Sequence, residues 1–243
     1  MTNDPEAAKT FYGAVVGWET ESFSPGDKGY TILKAGGRGI GGILPMPEGP
    51  REAGARAAWL GYVAVPDIDQ AAREIEAAGG ALHRDIMDIP HVGRVAMVSD
   101  PQGAAFYLIA PAGEDQPPAP RTTPGHVGWH ELHTNDWQAA VDFYARQFGW
   151  VKTEALDMGP MGTYQLFSFG GANPVGGMMN DASFPRPAWL FYFVVEDIDA
   201  GAERITGAGG KIMQGPMEVP GGAFVINAID PQGAMFAIVG MRG

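Results

Sequence analysis

Imidazole and carboxylate side chains are concentrated in one short segment of the chain. Three of the five histidines lie between positions 126 and 133, and Glu131 follows His130 directly. These groups are the ones that bind divalent metals or transfer protons. On a strand, His126 and His130 share one face but lie about 13 Å apart, and His133 shares the other face with Glu131. No three of them converge on one ion, so we predict ordinary strand histidines and keep a metal site as the rival hypothesis.

Glu131 is the residue of this segment best suited to acid-base chemistry. A carboxylate that points into an apolar cavity is desolvated unless it is paired, and its pKa then rises. A pKa near neutrality is what a general acid or base requires. His133 or a tyrosine hydroxyl could be the partner of Glu131. The alternative is a structural carboxylate that is hydrogen-bonded at a strand end.

Several other kinds of chemistry are excluded by composition and by missing motifs. The chain has no cysteine, which excludes disulfides, thiolate metal sites and a cysteine nucleophile. It lacks the Gly-x-Ser-x-Gly sequence of serine hydrolases and the Gly-rich phosphate loop that ends in Gly-Lys-Ser/Thr. The glycine pairs at 36–37, 41–42, 170–171 and 176–177 indicate turns and bulges rather than a dinucleotide site.

Charge and hydropathy narrow the range of partners. The formal net charge of −12 argues against nucleic acid, whose phosphates attract Lys and Arg. No apolar run is long enough to span a bilayer, and no basic-then-apolar leader is visible, so we expect a cytoplasmic protein without a membrane partner. The expected partner is a small-molecule ligand, and the expected state is a monomer or a homodimer.

The elements that position these residues occur twice along the chain. Phe11-Tyr12 and Gly17-Trp18 recur within 143–150, and Asp100-Pro101-Gln102-Gly103 recurs as Asp230-Pro231-Gln232-Gly233. Matches that keep their order over a whole half indicate a tandem duplication. We predict one domain over 1–112, a Pro-rich linker over 113–124 and a second domain over 125–243. One type of site should therefore be built twice.

Each half divides again into two modules of one strand, one helix and about three strands. The helices should begin at Asp4, Asp67, Asp136 and Asp197, since aspartate caps helix N-termini. Phe-Tyr in the first helix of each half should pack in the core. The counterpart of residues 126–133 is missing before Thr2, so the first domain should lack its opening strand. We expect a natural start upstream of Met1, or another segment that covers the open edge.

Together these motifs resemble the vicinal oxygen chelate superfamily, which includes glyoxalase I, bleomycin resistance proteins and extradiol dioxygenases. The resemblance rests on paired βαβββ modules, Phe143-Tyr144 with Gly149-Trp150, and the closing Asp230-Pro231-Gln232-Gly233. It is greatest to the two-domain glyoxalase-like proteins of bacteria. It implies an α+β fold of two tandem domains, in which each pair of modules forms a curved, cup-like sheet with its helices outside. Seven strands are expected in the first half and eight in the second.

The resemblance also implies where metal-dependent members would hold their metal. Their ligand positions map onto Trp129, Leu190 and Ala237 in the second half and onto Leu60 and Tyr107 in the first. None of these side chains offers the imidazole or carboxylate that such cations need. We therefore predict neither a metal nor another cofactor.

An apolar cup with few polar groups suits a small, partly aromatic ligand. The alternative is that the aromatic side chains only fill the core. The functional prediction is a metal-free small-molecule binder of the bleomycin-resistance type. The rival prediction is a lyase, isomerase or dioxygenase-type enzyme, either metal-dependent or with Glu131 as its acid or base. The residues predicted to line the site are Trp129, Glu131, His133, Leu190 and Tyr192, with Leu60, Tyr62 and Tyr107 in the first half.

Overall fold

The computed structural model describes residues 1–23, 29–52, 54–90, 92–113 and 117–243. Part of the predicted linker, 114–116, lies outside the described residues. The fold combines helices and antiparallel or mixed sheets, which confirms the predicted α+β class. No described helix has the length and apolar character that crossing a bilayer requires. The helices are α1 (Pro5–Val16), α2 (Glu48–Glu52), α3 (Ile68–Ala77), α4 (Trp137–Phe148) and α5 (Ile198–Gly207), with a 3-10 turn at Gly159–Met161.

The four long helices begin where the aspartates predict. The side chains of Asp4, Asp67, Asp136 and Asp197 each accept a hydrogen bond from a backbone N–H in the first helical turn. Pro5 stands at the start of α1, where the missing N–H costs nothing. These four predicted helix starts are confirmed.

Sixteen strands are described, eight in each half. The second half has the eight predicted strands. The prediction of seven for the first half is wrong by one, because the first-half counterpart of the long strand β14 is split into two short strands, β5 and β6. The strands are β1 (Glu19–Ser22), β2 (Thr31–Ala35), β3 (Arg38–Ile43), β4 (Tyr62–Ala64), β5 (Ala81–Leu82), β6 (Met87–Ile89), β7 (Gly93–Ser99), β8 (Ala105–Pro111), β9 (Val127–Thr134), β10 (Val151–Asp157), β11 (Thr163–Ser168), β12 (Gly176–Asn180), β13 (Ala188–Asp197), β14 (Lys211–Glu218), β15 (Phe224–Ile229) and β16 (Met235–Met241).

The chain packs into two compact units, each assembled from segments that are distant in sequence. The predicted boundaries at 112 and 125 describe the repeat along the sequence and do not coincide with the bounds of the compact units. Unit 1 comprises Met1–Trp59, Ala119–Trp129 and Phe191–Gly243, and unit 2 comprises Leu60–Pro118 and His130–Leu190.

Unit 2 combines the strands β4 to β8 and helix α3 of the first half with most of β9, helix α4 and β10 to β12 of the second. Its strands follow the orders β4-β8-β7-β5, with β6 beside β7, and β10-β11-β12-β9. Leu132 lies in its buried core with Met178 and Phe167 from neighbouring strands and with Phe143 and Tyr144 from α4. Leu132 therefore faces the helix, and the predicted core role of Phe143-Tyr144 is confirmed.

Unit 1 combines helix α1 and the strands β1 to β3 with helix α5 and the strands β13 to β16. Its strand orders are β1-β2-β3 and β13-β16-β15-β14. Phe11 and Tyr12 of α1 pack edge-on against Phe236 of β16, with ring centroids 5.6 Å and 5.4 Å apart. The predicted core role of Phe11-Tyr12 is confirmed as well.

The predicted gap in the first half is visible in unit 1. In unit 2, β9 pairs with β12 in parallel from His130 to Thr134, which lies opposite Asn180. In unit 1, β3 is the last strand of its sheet, and only Thr2 forms a parallel bridge, with Pro45. Thr2 therefore occupies the place that Thr134 has in the complete arrangement.

Candidate functional site

A Trp–Tyr–Asp hydrogen-bond network accounts for the motifs that recur in both halves. In unit 2, Trp189 donates to the Tyr144 hydroxyl (3.1 Å), which donates to Asp100 (3.1 Å). The other oxygen of Asp100 accepts from the backbone N–H groups of Gln102 and Ala104 (both 2.9 Å). Burial raises the pKa of Tyr144 well above its ordinary value, so its hydroxyl stays a donor. The Trp189 N–H, the Tyr144 hydroxyl and both oxygens of Asp100 each have a hydrogen-bond partner within the protein, so the network is structural.

Unit 1 contains the same network at the same positions of the repeat. Trp59 donates to the Tyr12 hydroxyl (2.7 Å), and Tyr12 donates to Asp230 (3.0 Å). Asp230 in turn accepts from Gln232 and Ala234. The Asp-Pro-Gln-Gly motif and the Phe-Tyr motif therefore hold helix, strand and turn together in both units.

Glu131 lies on the strand face opposite α4. It pairs directly with Gly177, which pairs with Leu166, so these three residues share one face of β9, β12 and β11. His133 lies two residues further along the same face, beside Met179. Strand alternation places Tyr164 on this face too. Glu131 and His133 therefore share one face of β9, as strand alternation predicts.

Tyr164 and His133 both contact the carboxylate of Glu131. The Tyr164 hydroxyl donates to Oε2 at 2.6 Å, and His133 Nε2 lies 2.8 Å from Oε1. The line from Nε2 to Oε1 departs from the direction of a ring N–H hydrogen bond, so the second contact is electrostatic. The side chains of Glu131 and His133 are 11% and 6% exposed. A carboxylate this buried needs such partners, because an unpaired buried charge is costly.

The loop after β12 holds the other side of the His133 ring. Asp181 Oδ2 lies 2.9 Å from Nδ1, and the Phe184 ring stacks on the imidazole at 3.8 Å with an interplanar angle of 6°. Burial opposes ionisation of Asp181, but hydrogen bonds from Ser183 and the nearby His133 outweigh it and hold the pKa of this carboxyl below its usual range. Asp181 is therefore an ionised acceptor near neutral pH.

Tyr164 reaches Glu131 by crossing a glycine. A Cβ added at Gly177 would lie 2.2 Å from the Tyr164 ring, so a side chain there would displace the tyrosine. Unit 1 repeats this crossing with Tyr30 over Gly42, where an added Cβ would lie 2.3 Å from the ring. Glycine is needed at both positions because the ring lies directly on the backbone.

The other predicted site residues fall in different parts of the molecule. In unit 2, Tyr62 and Tyr107 stack with centroids 4.9 Å apart on the strand face opposite α3. Leu60 is partly buried ahead of β4, and Leu190 is buried in β13. Unit 1 holds Trp129, with the guanidinium of Arg121 5.9 Å from its ring centroid, and the buried Tyr192. A ligand-binding role for these residues stays a prediction.

The positions that carry the metal in the resembled family do not fit a metal here. Leu190 and Ala237 are buried apolar side chains, and Tyr192 pairs with Ala237. In the described ranges, no group of three or more His, Asp or Glu side chains is arranged to hold an ion. Both ring nitrogens of His133 already face carboxylates. The donor set at these positions therefore offers no imidazole or carboxylate cage.

Comparison with known families identifies the chain. The family model for the glyoxalase/bleomycin resistance protein/dioxygenase superfamily matches residues 1–108 and 123–238. The chain belongs to this superfamily. The two matched segments correspond to the two repeats of the sequence, and members of the superfamily combine paired βαβββ modules.

Relatives within the superfamily align over nearly the whole chain. The anthracycline biosynthesis protein DnrV of Streptomyces peucetius is 32% identical over 252 residues, which is 98% of this chain and 90% of DnrV. CFP32 of Mycobacterium bovis is 32% identical over 246 residues, 98% of this chain and 91% of CFP32.

Solved structures share the fold at lower identity. The 2,3-dioxygenase LapB from Pseudomonas sp. KL28 aligns with a TM-score of 0.66 at 14% identity, over 100% of this chain and 90% of LapB. The Mn(II)-bound glyoxalase from Novosphingobium aromaticivorans aligns with a TM-score of 0.65 at 19% identity, over 100% and 80% of the two chains. At this identity the likeness concerns the fold alone.

Sequence reasoning missed three residues of this site. Tyr164 was placed only within an apolar strand, and Asp181 and Phe184 were not singled out. The tyrosine that precedes a glycine pair in both halves, Tyr30 before 41–42 and Tyr164 before 176–177, is a repeat signal that could have found Tyr164. The Asp-x-Ser sequence at 181–183 is typical of a turn that orients its carboxylate, and it could have pointed to Asp181.

Proposed function

We propose that this protein binds a small, partly aromatic molecule on the strand face that carries Glu131, without a metal at the positions used by metal-dependent relatives. The observation that carries the proposal is that the family's metal-ligand positions hold apolar residues, while a polar group, Glu131, is oriented elsewhere on the sheet. Buried Leu190 and Ala237 replace ligating groups, while Glu131 is held by Tyr164 and His133 as an oriented polar group. Apolar walls with one precisely held polar group are typical of small-molecule sites.

The relatives suggest the first ligand to try. DnrV carries the name of an anthracycline biosynthesis protein. Anthracyclines are fused-ring aromatic molecules with hydroxyl groups, and such a molecule offers both a flat surface for stacking and a donor for Glu131. An anthracycline and simpler planar phenols are therefore suitable probes.

An acid-base enzyme is the second candidate, and a specific observation favours it. The imidazole of His133 lies 2.8 Å from the carboxylate of Glu131, and both side chains are buried. A buried carboxylate beside an imidazole is an arrangement typical of a general acid or base. In this second candidate, Glu131 exchanges a proton with the bound molecule.

The test compares variants of the proposed site in ligand titrations. Glu131→Gln should change the pH dependence of binding, because the variant cannot ionise. Glu154→Gln, an exposed position on β10, is the matched control and should bind as wild type.

The outcomes separate the two candidates. Binding without a change in the probe supports the binder, whereas a new product whose formation is lost in Glu131→Gln supports the enzyme. If Glu131→Gln binds the probe as wild type does at every pH, the site lies elsewhere.

A further inference from the structure

The strand β3 forms one edge of its sheet in unit 1, and this edge is paired at one end only. The N–H of Thr2 donates to the Leu44 carbonyl (3.0 Å), and the N–H of Met46 donates to the Thr2 carbonyl (2.8 Å). Among the described residues, no other main-chain hydrogen bond lies on this edge. Main-chain groups of alternate residues point to the same side of a strand, so those of Gly42 point the same way as those of Leu44. The edge at Gly42 is therefore open to a further strand.

In unit 2 the equivalent edge, that of β12, is covered by the parallel strand β9. The two edges match at their ends, because Asp181 donates to the Thr134 carbonyl (3.0 Å) as Met46 donates to that of Thr2. The repeat therefore gives β3 and β12 the same arrangement of main-chain groups. A strand that fits β3 should follow the register that β9 has on β12.

A cavity beneath the open edge, on the side of helix α1, shows what such a strand would bring. In unit 2 the same place is filled by Leu132, which lies opposite Met178 and packs in the buried core. The repeat relates the cavity walls to residues around Leu132: Ala8 to Ala140, Tyr12 to Tyr144, Ile43 to Met178, Trp59 to Trp189 and Ala234 to Ala104. Unit 1 therefore has the walls of the Leu132 site without a leucine between them.

The other face of β3 offers a hydrogen-bond donor at the matching place. The Tyr30 hydroxyl lies over Gly42 as the Tyr164 hydroxyl lies over Gly177. Tyr164 donates to Glu131, the residue opposite its glycine. Within the described ranges the Tyr30 hydroxyl has no hydrogen-bond partner, and burial raises the pKa of Tyr30, so the hydroxyl stays protonated. An acceptor opposite Gly42 would therefore meet this donor.

We propose that the open edge of β3 and the cavity beneath it bind an extended peptide strand that runs parallel to β3. This strand carries a hydrogen-bond acceptor opposite Gly42 and, directly after it, a large aliphatic side chain that enters the cavity opposite Ile43. In complexes of this kind, main-chain hydrogen bonds to the sheet edge give affinity, and pockets for single side chains give specificity. The site lies in unit 1 and does not depend on the proposed ligand site at Glu131.

A peptide strand fits this site better than a small apolar molecule does. The walls of the cavity would suit either, but the main-chain groups of Gly42 need hydrogen-bond partners once water is excluded. A second strand supplies a donor and an acceptor at the required spacing, whereas a hydrocarbon supplies neither. The side chain in the cavity and the main-chain bonds at the edge then come from one molecule.

The experiment titrates the 243-residue chain with a synthetic peptide that has the sequence of residues 125–132 and is capped at both ends. In the register of β9, its glutamate falls opposite Gly42 and its leucine opposite Ile43. Isothermal titration calorimetry should show saturable binding of one peptide per chain. A peptide with alanine in place of the leucine should bind at least about tenfold more weakly, because it leaves the cavity unfilled.

A matched pair of variants tests the contact with the tyrosine. Tyr30→Phe removes the donor that faces the peptide's glutamate, and it should weaken binding about tenfold. Tyr164→Phe makes the same change over Gly177 in unit 2, where β9 already covers the edge, and it should bind the peptide as wild type does. The comparison of the leucine and alanine peptides uses the unchanged protein, so it does not depend on how a variant folds.

Hydrogen exchange followed by NMR locates the bound peptide. The amides of Gly42 and Leu44 should exchange at least about tenfold more slowly when the peptide is bound, because both become hydrogen-bonded. The amide of Thr20, on the other edge strand of this sheet, should exchange at an unchanged rate.

Absence of peptide binding at millimolar concentration would overturn the proposal, and so would equal binding of the alanine peptide or protection that appears away from β3. Uptake of a small apolar molecule such as benzene without binding of the peptide would also overturn it. Binding that depends on the leucine and on Tyr30, with protection at Gly42 and Leu44, supports it whether or not the Glu131 face binds its own probe.

Discussion

The ring of Tyr164 in unit 2 lies over Gly177, and the ring of Tyr30 in unit 1 lies over Gly42. The two tyrosines differ in the residues that surround them. Tyr164 donates to Glu131, which stands on the complete strand β9. In unit 1 the place of that strand is represented by Thr2 alone, so no residue described there corresponds to Glu131. The carboxylate of Glu131 thus belongs to the repeat in which strand β9 is described.

The two units are alike in the hydrogen-bond network that their helices make. The networks Trp59–Tyr12–Asp230 and Trp189–Tyr144–Asp100 agree in partners and nearly in distance. The residues that recur most clearly in the sequence are therefore those that hold the modules together. The candidate chemistry lies where the two copies differ, which is why the repeated motifs alone did not reveal it.

The largest expected effect comes from variants that disrupt the Trp–Tyr–Asp hydrogen-bond network present in both units. Tyr144→Ala should lower the free energy of unfolding by about 3–5 kcal/mol, since it removes a buried ring and leaves Asp100 without its donor. Tyr12→Ala should cost a similar amount. Denaturant titrations followed by circular dichroism measure both, and a loss below about 1 kcal/mol in either variant would contradict the structural role.

The next largest effect distinguishes the two glycines that lie beneath a tyrosine ring, Gly177 and Gly42. Gly177→Ala and Gly42→Ala should each destabilise by about 1–3 kcal/mol, because a methyl group does not fit beneath the tyrosine ring. Only Gly177→Ala should also weaken binding of the probe, since it displaces Tyr164, which donates to Glu131. Titration of both variants with the same probe checks this, and an equal loss of binding would argue against a site confined to the Glu131 face.

A smaller effect concerns the tyrosine hydroxyls themselves. Tyr164→Phe should cost about 1.5–3 kcal/mol of stability, the contribution of a hydrogen bond to a charged group. It should also alter the pH profile of probe binding. Tyr30→Phe is the matched control in unit 1, and it should leave that profile unchanged. Identical profiles for wild type and Tyr164→Phe would remove Tyr164 from the site.

The smallest expected effect concerns the charge of Asp181. The corresponding position in unit 1, just after the bridge between Thr2 and Pro45, is occupied by the uncharged Met46. The pKa of Asp181 is lowered in the folded state, so its stabilising contribution is present above the ordinary aspartate pKa and is lost as the pH falls through the folded pKa. The stability difference between wild type and Asp181→Asn should therefore shrink below about pH 4. Thermal unfolding across this range measures it, and a difference that grows on acidification would show the opposite sign.

Local signals predicted much of the fold. The four helix starts, the tandem βαβββ modules, the shared face of Glu131 and His133 and the missing opening strand all depend on short-range rules such as capping and strand alternation, and the structure confirms them. The number of first-half strands was wrong, because the break between β5 and β6 carries no distinctive residue. Asp181 and Phe184 could not be placed, since a loop residue reveals its partner only when the chain is folded.

The sequence by itself determined the duplication, the helix and strand pattern, the family and the face on which Glu131 stands. These follow from periodicity and from motifs that recur within one chain. Only the tertiary structure decided that each compact unit joins one module from each half, and that Glu131, His133, Tyr164 and Asp181 form one connected group. The reason is physical: hydrogen bonds between residues that lie 33 and 48 positions apart depend on strand register and loop path, which local sequence does not encode.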